Sequence, residues 1–321
     1  MEQLQEELVA LWEADRPGLV VADFVLPVAG LTAKRMGIDW WTGMPTPCVL
    51  ETGDGVPSYL GGWKPRSDWY GRCRDQAGRA VVRAFKLGVR KMFDSQFRAL
   101  SISSVYRSDG LEVAYSPTRV LGFGLRDFEF AREWPDHFDF IGPLTESPPF
   151  AYAEPPFAPG KRHVLVTLGT HLPWARRRAY DLIRRVAAAM PAWVFHFSDG
   201  EPGSLSRSTA GNLIRVGFLP YGNLLPRYDA AIMHGGTGIT YACIESGVPM
   251  LVWPHDYDQF DHAARIVERG LGLRLTPSPK AIKQDLGRLC SEATFRDRLE
   301  HFRSKTEANA AERRFRELVE G

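Results

Sequence analysis

Between Ala230 and Gly238 the chain reads AAIMHGGTG, four apolar residues followed by a histidine, two glycines, a threonine and a glycine. The apolar run has the character of a buried strand, and its end in glycines marks a tight turn into the helical pattern that begins near Thr237. Glycines let a backbone approach a phosphate closely, and the free amides and positive end of a helix stabilise its charge. His234, Gly235, Gly236, Thr237 and Gly238 are therefore candidates for a diphosphate cradle, with the imidazole as a donor to a phosphate oxygen. Tight turns also need glycine for steric reasons alone, and a histidine at a strand end can equally cap a loop carbonyl. Both readings stand at this point.

One strand further along, PHDYDQFDHA sets Asp258 beside Gln259. A carboxylate next to an amide offers the fixed hydrogen bonds that sugar hydroxyls require. Asp256 or Asp258 can also open the following helix as an N-cap, and the two roles are compatible.

These residues need elements to hold them. From VLVTLG onward, short β-branched or aromatic runs (AWVFHFS, NLIRVGFL, AAIM, MLVWP, GLRL) alternate with longer helical patterns such as Trp174 to Met190. That alternation predicts a doubly wound α/β domain over 163–303, with ligands beyond the carboxyl ends of a parallel sheet. LTESPPFAYAEPPFAPGKR, residues 144–162, is rich in proline and small residues and reads as an extended interdomain linker. Residues 1–143 show the same grammar less clearly: a helix from Glu2 to Ala14, a strand GLVVADF, a helix from Pro27 to Met36 and a strand DWWTGMP. The stretch from Glu51 to Leu111 mixes turn signals with a basic, aromatic-studded helical pattern, and its Trp63, Trp69, Tyr70, Phe85, Phe93 and Phe97 read as core residues, with a lid or acceptor-contacting helix as the alternative. Residues 304–321 form a last helix expected to pack back toward the first lobe.

At 321 residues the chain has room for two cores. Its 40 Lys and Arg against 38 Asp and Glu leave +2, too weak a field to argue for nucleic acid. The Arg-rich runs at 176–178 and 313–316 read as solvated helix faces. Four widely spaced cysteines without a CxxC pair point to a reduced, cytoplasmic setting and give no metal motif. The acidic, amphipathic N-terminus lacks the form of a signal peptide, and no apolar run has membrane-spanning length.

The ordered elements GFLPYGNLLPRYDAAIMHGG, then GVP, then a proline and DQFDHA closely resemble the donor-binding signature of the family 1 (UDP-glycosyltransferase-like) enzymes. The resemblance implies the GT-B fold, two Rossmann-like lobes with a cleft between them. Carried over residue by residue, it implies that Phe218 borders the nucleobase and Tyr221 holds its edge through the backbone. His234 and the amides near Gly236 to Gly238 would take the diphosphate, helped by Gly169 and Thr170 in VTLGTHL, while Asp258 and Gln259 would hold the transferred sugar. Ile239 stands where the family often has a hydroxyl residue, which moves that contact to Thr237 or Thr240. Ala242 replaces the glutamate that plant members place on the ribose, with Glu245 one turn later as its substitute. His262 replaces the usual asparagine, and Tyr221 a glutamine.

In GLVVADF the resemblance makes Asp23 the orienter of a catalytic histidine, the base that removes the acceptor's proton during inverting displacement. No histidine precedes His137. The reading is therefore an N-terminal lobe short of about three βα units, completed by a missing N-terminal segment or by a partner. Asp23 as an ordinary strand-end residue is the alternative. The implied activity is hexose transfer from a nucleoside-diphosphate sugar, UDP or dTDP, to a hydroxyl of a small lipophilic acceptor, with inversion and with neither metal nor cofactor. A nucleotide-sugar-binding protein without catalysis is the second reading, and a nucleotide-sugar epimerase the third.

Overall fold

The computed structural model describes residues 2–145 and 149–320 and divides into two compact units, 1–142 with 311–321 and 143–310. The 144–162 linker expectation thus falls partly outside the described residues, at 146–148.

The first unit carries a parallel sheet in the order β1 (Leu19–Asp23), β2 (Asp39–Met44), β3 (Val120–Gly122), β4 (Phe138–Phe140). Its register pairs Leu19 with Asp39, Thr42 with Val120 and Val120 with Phe138. The helices Glu2–Ala14 and Pro27–Arg35 form where the sequence pattern puts them, the second opened by a proline whose missing N–H costs a helix start nothing. Trp12, Ala33, Ile38 and Trp40 make the core they share with β1 and β2. Phe315, on the last helix Ala311–Glu320, meets Trp41 edge to face at 6.1 Å.

The 24-residue helix Trp69–Met92 is capped by Asp68, whose carboxylate accepts the Gly71 amide at 2.8 Å. Its aromatics depart from the core expectation: Trp69 and Phe85 are 69% and 70% exposed. The buried positions Gly71, Asp75, Gly78 and Val82 form one stripe of mostly small residues through which the helix approaches its unit closely; Trp69 lies on the face away from it, and Phe85, next along the stripe after Val82, borders an apolar cavity.

The second unit is a seven-stranded sheet, β5 (Arg162–Thr167), β6 (Trp193–Ser198), β7 (Arg207–Ala210), β8 (Leu213–Val216), β9 (Ala230–Met233), β10 (Met250–Val252) and β11 (Gly272–Arg274), in the order β11-β10-β9-β5-β6-β8-β7. All pairs are parallel except β7 with β8. β9 and β10 are buried along their whole length, as strands covered on both faces must be. β7, RSTA, is exposed at all four residues; with Ala210 as its one apolar residue it left no strand signature, and its polarity suits an edge. Val164, Val166, Phe195, Ile232 and Leu251 pack against Leu182, Ile183, Val186, Leu286 and Leu289 of the helices Pro173–Ala188 and Pro279–Ser291.

The proline-rich segment does not hang free where it is described. Phe157 packs at about 5 Å between the rings of His163, His196 and Tyr228, and Arg227 lies over its face. Helix Ala293–Ala308 runs through position 304 and ends at Asn309, so the boundary of the last helix lies seven residues later than the sequence pattern placed it.

Candidate functional site

The chain leaves β5 in one direction along the sheet and reaches β9 on β5's other side, so the strand order reverses between these two neighbours. A crevice outside the carboxyl ends of the strands forms at such a switch point. Gly169 and Thr170 follow β5 there, and His234 to Gly236 follow β9. The next loop, after β10, carries Asp258 and Gln259. Three segments far apart in sequence are thus delivered to one edge by strand order alone.

Their packing is close. Gly169, at φ +68°, lies so near the imidazole of His234 that an added Cβ would meet its Cε1 at 2.8 Å, and a Cβ on Gly236 would meet its Nε2 at 2.5 Å. The ring is therefore held between two backbones that only glycine permits. Gly235, at φ +98°, abuts the backbone of Gln259 in the same way, with a Cβ-to-carbonyl distance of 3.0 Å. Nδ1 of His234 is buried without a hydrogen-bond partner among the described residues. Desolvation, against the opposing pull of Asp258, lowers its pKa to about 4, so the ring is neutral near pH 7 and carries one N–H to donate.

Gly236 is the N-cap of helix Thr237–Glu245, and no side chain caps it. The first amides of that helix have no intrahelical partner and no acidic residue occupies the first turn, which leaves donors and a positive helix end for an anion. Of the two hydroxyls considered for this turn, Thr240 is committed: it is fully buried and donates to the Gly236 carbonyl at 2.8 Å. Thr237, half-buried, is the one left at the mouth.

Gln259 is buried, and its Oε1 accepts the amides of His255 and Asp256 at 2.9 and 3.1 Å. One half of the side chain shapes the loop, and the Nε2 half is left to donate. Asp258 is the N-cap residue of helix Gln259–Glu268 but makes no side-chain capping bond, so its carboxylate is not consumed by the helix start. The capping alternative is not the one the structure adopts. His262 bonds the Gly235 carbonyl at 2.7 Å through Nδ1, which ties helix Gln259–Glu268 to the glycine turn.

Tyr221 opens the short helix Tyr221–Leu224, and its hydroxyl lies 3.0 Å from Thr167 Oγ1, which also accepts the Gly169 amide at 3.1 Å. Phe218 is half-buried and meets Phe150 edge to face at 5.8 Å. Glu245 departs from its expected place. It sits on the last turn of its helix, about 12 Å along the axis from Thr237 at 1.5 Å per residue, and accepts a hydrogen bond from Thr145 at 2.6 Å. Burial raises its pKa. Ala242, the position it was to replace, is buried in the core. The structure therefore groups Gly169, Thr170, His234 to Gly238, Asp258 and Gln259 and leaves Glu245 apart.

Asp23 lies in the first unit, where its Oδ1 accepts the Val25 amide at 2.9 Å and its carbonyl accepts Leu26. That Asx turn occupies Oδ1 at the strand end. The sequence reading missed Arg176. Taken as part of a solvated run, it is only 15% exposed in its side chain, donates to the Thr170 carbonyl at 3.2 Å and pairs with Glu201. Its position after Pro173, one turn into the helix that follows the β5 loop, was the available signal.

Residues 185–319 match the family model described as erythromycin biosynthesis protein CIII-like, C-terminal domain. The 4'-demethylrebeccamycin synthase of Lentzea aerocolonigenes is 26% identical over 325 residues, covering 98% of this chain and 76% of that protein. The solved structure of the glycotransferase of kitacinnamycin superposes with a TM-score of 0.73 at 23% identity, covering 99% of this chain and 79% of that one. The glycosyltransferase VinC, solved in complex with dTDP, superposes with a TM-score of 0.66 at 20% identity, covering 99% and 75%. The fold shared with these structures is GT-B.

Proposed function

We propose that the chain, whose residues 185–319 match the CIII-like C-terminal domain, is a family 1-like GT-B glycosyltransferase that moves a hexose from UDP or dTDP to a hydroxyl of a small lipophilic acceptor, with inversion. The observation that carries the donor half is the His234 ring held between Gly169 and Gly236 beside the open amides of helix Thr237–Glu245. A neutral N–H donor, backbone amides and a helix end together suit a diphosphate leaving group, whose developing charge they stabilise in a partly buried crevice. Asp258 and the Nε2 of Gln259 would hold the sugar hydroxyls, and Tyr221 and Phe218 border the base. The dTDP in the VinC structure supports a pyrimidine nucleotide. For the acceptor, an apolar cavity of about 350 Å³ in the first unit, walled by Phe24, Phe97, Leu100 and Ile102 among others, supports a lipophilic body.

The test is calorimetric titration with UDP-glucose and dTDP-glucose, alongside a transfer assay on a hydroxylated aromatic. His234→Ala and Asp258→Ala are each expected to weaken donor binding about 10-fold or more, the worth of one hydrogen bond to a charged group, while the thermal midpoint stays nearly unchanged. Variants that unfold early but bind normally when folded would overturn the assignment. The second reading is donor binding without transfer; binding with neither transfer nor hydrolysis would select it.

A further inference from the structure

One wall of the apolar cavity in the first unit is not apolar: Lys86, Glu112 and Tyr115 line it together. Lys86 Nζ donates to Glu112 Oε1 at 2.7 Å and also pairs with Glu51. The Tyr115 hydroxyl donates to the same Oε1 at 3.0 Å. Two donors therefore fix the carboxylate through one oxygen. No hydrogen bond reaches Oε2 among the described residues, and the side chain keeps 14% of its surface exposed in a cavity whose neighbouring walls, Phe24, Phe97 and Val105, offer no side-chain donor.

Burial by itself would lower the pKa of Lys86, but the carboxylates of Glu112 and Glu51 outweigh it and hold the ammonium above its ordinary value. Burial, with Glu112, raises Tyr115 well above the usual phenol range. Both donors thus keep their protons at neutral pH. Arg83 also pairs with Glu51, at 3.3 Å, so two cations balance two carboxylates and the cluster makes no demand for a further charge. What it lacks is one neutral proton donor.

We propose that Glu112 is the specificity-determining residue of this cavity and that it selects an apolar ligand bearing a neutral hydroxyl, which donates to Oε2. The proposal rests on the reading of the cavity as the acceptor side and deepens it by naming the group that is recognised. An ether of the same body has no proton to give and leaves a carboxylate oxygen unpaired in an apolar wall; a carboxylate brings like charge against like.

The experiment measures binding of 2-hydroxyanthraquinone, its methyl ether and anthraquinone-2-carboxylate to the purified full chain by fluorescence titration, without any nucleotide. The hydroxyl compound is expected to bind about 10- to 100-fold more tightly than the ether, the range of a hydrogen bond to a charged group, and the carboxylate more weakly still. Glu112→Gln should bring hydroxyl and ether to within about 3-fold of each other, because a neutral amide loses the charge-assisted bond. Val105→Trp, which fills the cavity, should abolish binding of all three. Equal affinity of the native chain for hydroxyl and ether overturns the proposal, as does a preference that survives in Glu112→Gln; if that variant does not fold, the comparison on the native chain decides. Since no donor is present, failure here leaves the nucleotide-sugar reading standing, and failure of donor binding leaves this result intact.

Discussion

At the scale of single residues, the imidazole of His234 is confined by backbone rather than by partners. With glycines on two sides and Nδ1 unbonded, the ring is kept neutral by desolvation, its pKa near 4. The folded value lies below the ordinary one, so between about pH 6.5 and 4 the unfolded chain takes up a proton that the folded site refuses. The contribution of this group to stability is therefore lost as pH falls through that window. A diphosphate beside the ring favours the protonated form and reverses the shift. Titrating UDP at pH 5.5 in buffers of different ionisation enthalpy should reveal proton uptake that is reduced in His234→Ala. Identical uptake in the two proteins would remove the imidazole from the diphosphate site. The supporting residues around His234 are those the sequence described least well. His262 and Arg176 brace loop carbonyls, and neither role leaves a pattern in the chain, because the partner lies on another element.

At the scale of elements, the proline-rich segment acts as a strap on the second unit rather than as a spacer. Phe157 fills a recess among His163, His196 and Tyr228; burial lowers the His196 pKa to about 4 and leaves its Nε2 unbonded, so the recess is dry enough for the apolar ring. Phe157→Ala should cost the second unit roughly 2 kcal/mol, less than a fully buried phenylalanine because this one is only partly covered. The loss would be read as a lower denaturant midpoint at constant m-value, with UDP affinity unchanged. An unaltered midpoint would mean that the strap contributes nothing to the fold. The helix Trp69–Met92 teaches the converse lesson: its period was legible, but which of its faces turned inward was not, since the buried stripe is marked by small residues and the exposed Trp69 and Tyr70 lie away from it.

At the scale of the molecule, the described residues form a parallel sheet of four strands in the first unit and a sheet of seven, parallel except for β7, in the second. The residues proposed for donor binding all lie in the second, where strand order reverses between β5 and β9 and the helix start at Thr237 has no side-chain cap. Asp256, whose spacing to Asp258 resembles a metal-binding pair, spends Oδ1 on the Tyr257 amide at 2.8 Å. Donor binding and transfer are accordingly expected to persist in excess EDTA. Complete loss on chelation, restored by a divalent cation, would show that a metal carries the leaving-group charge instead.

The order of apolar runs and glycine turns from β5 to β11 already determined a doubly wound sheet, because the alternation of fully buried strands with amphipathic helices has few other solutions. It also marked a glycine turn between a buried strand and a helix start, since a strand ending in His-Gly-Gly before a helical pattern is legible locally. The tertiary structure decided what depends on neighbours distant in sequence: that Thr240 is spent on Gly236, that Gln259 gives half of its amide to its own loop, and that Glu245 is engaged by Thr145, away from the cradle. It also decided that Lys86 and Tyr115 meet Glu112 through the same oxygen, in the lining of an apolar cavity. A hydrogen bond between residues many positions apart is fixed by packing, and no spacing along the chain encodes it.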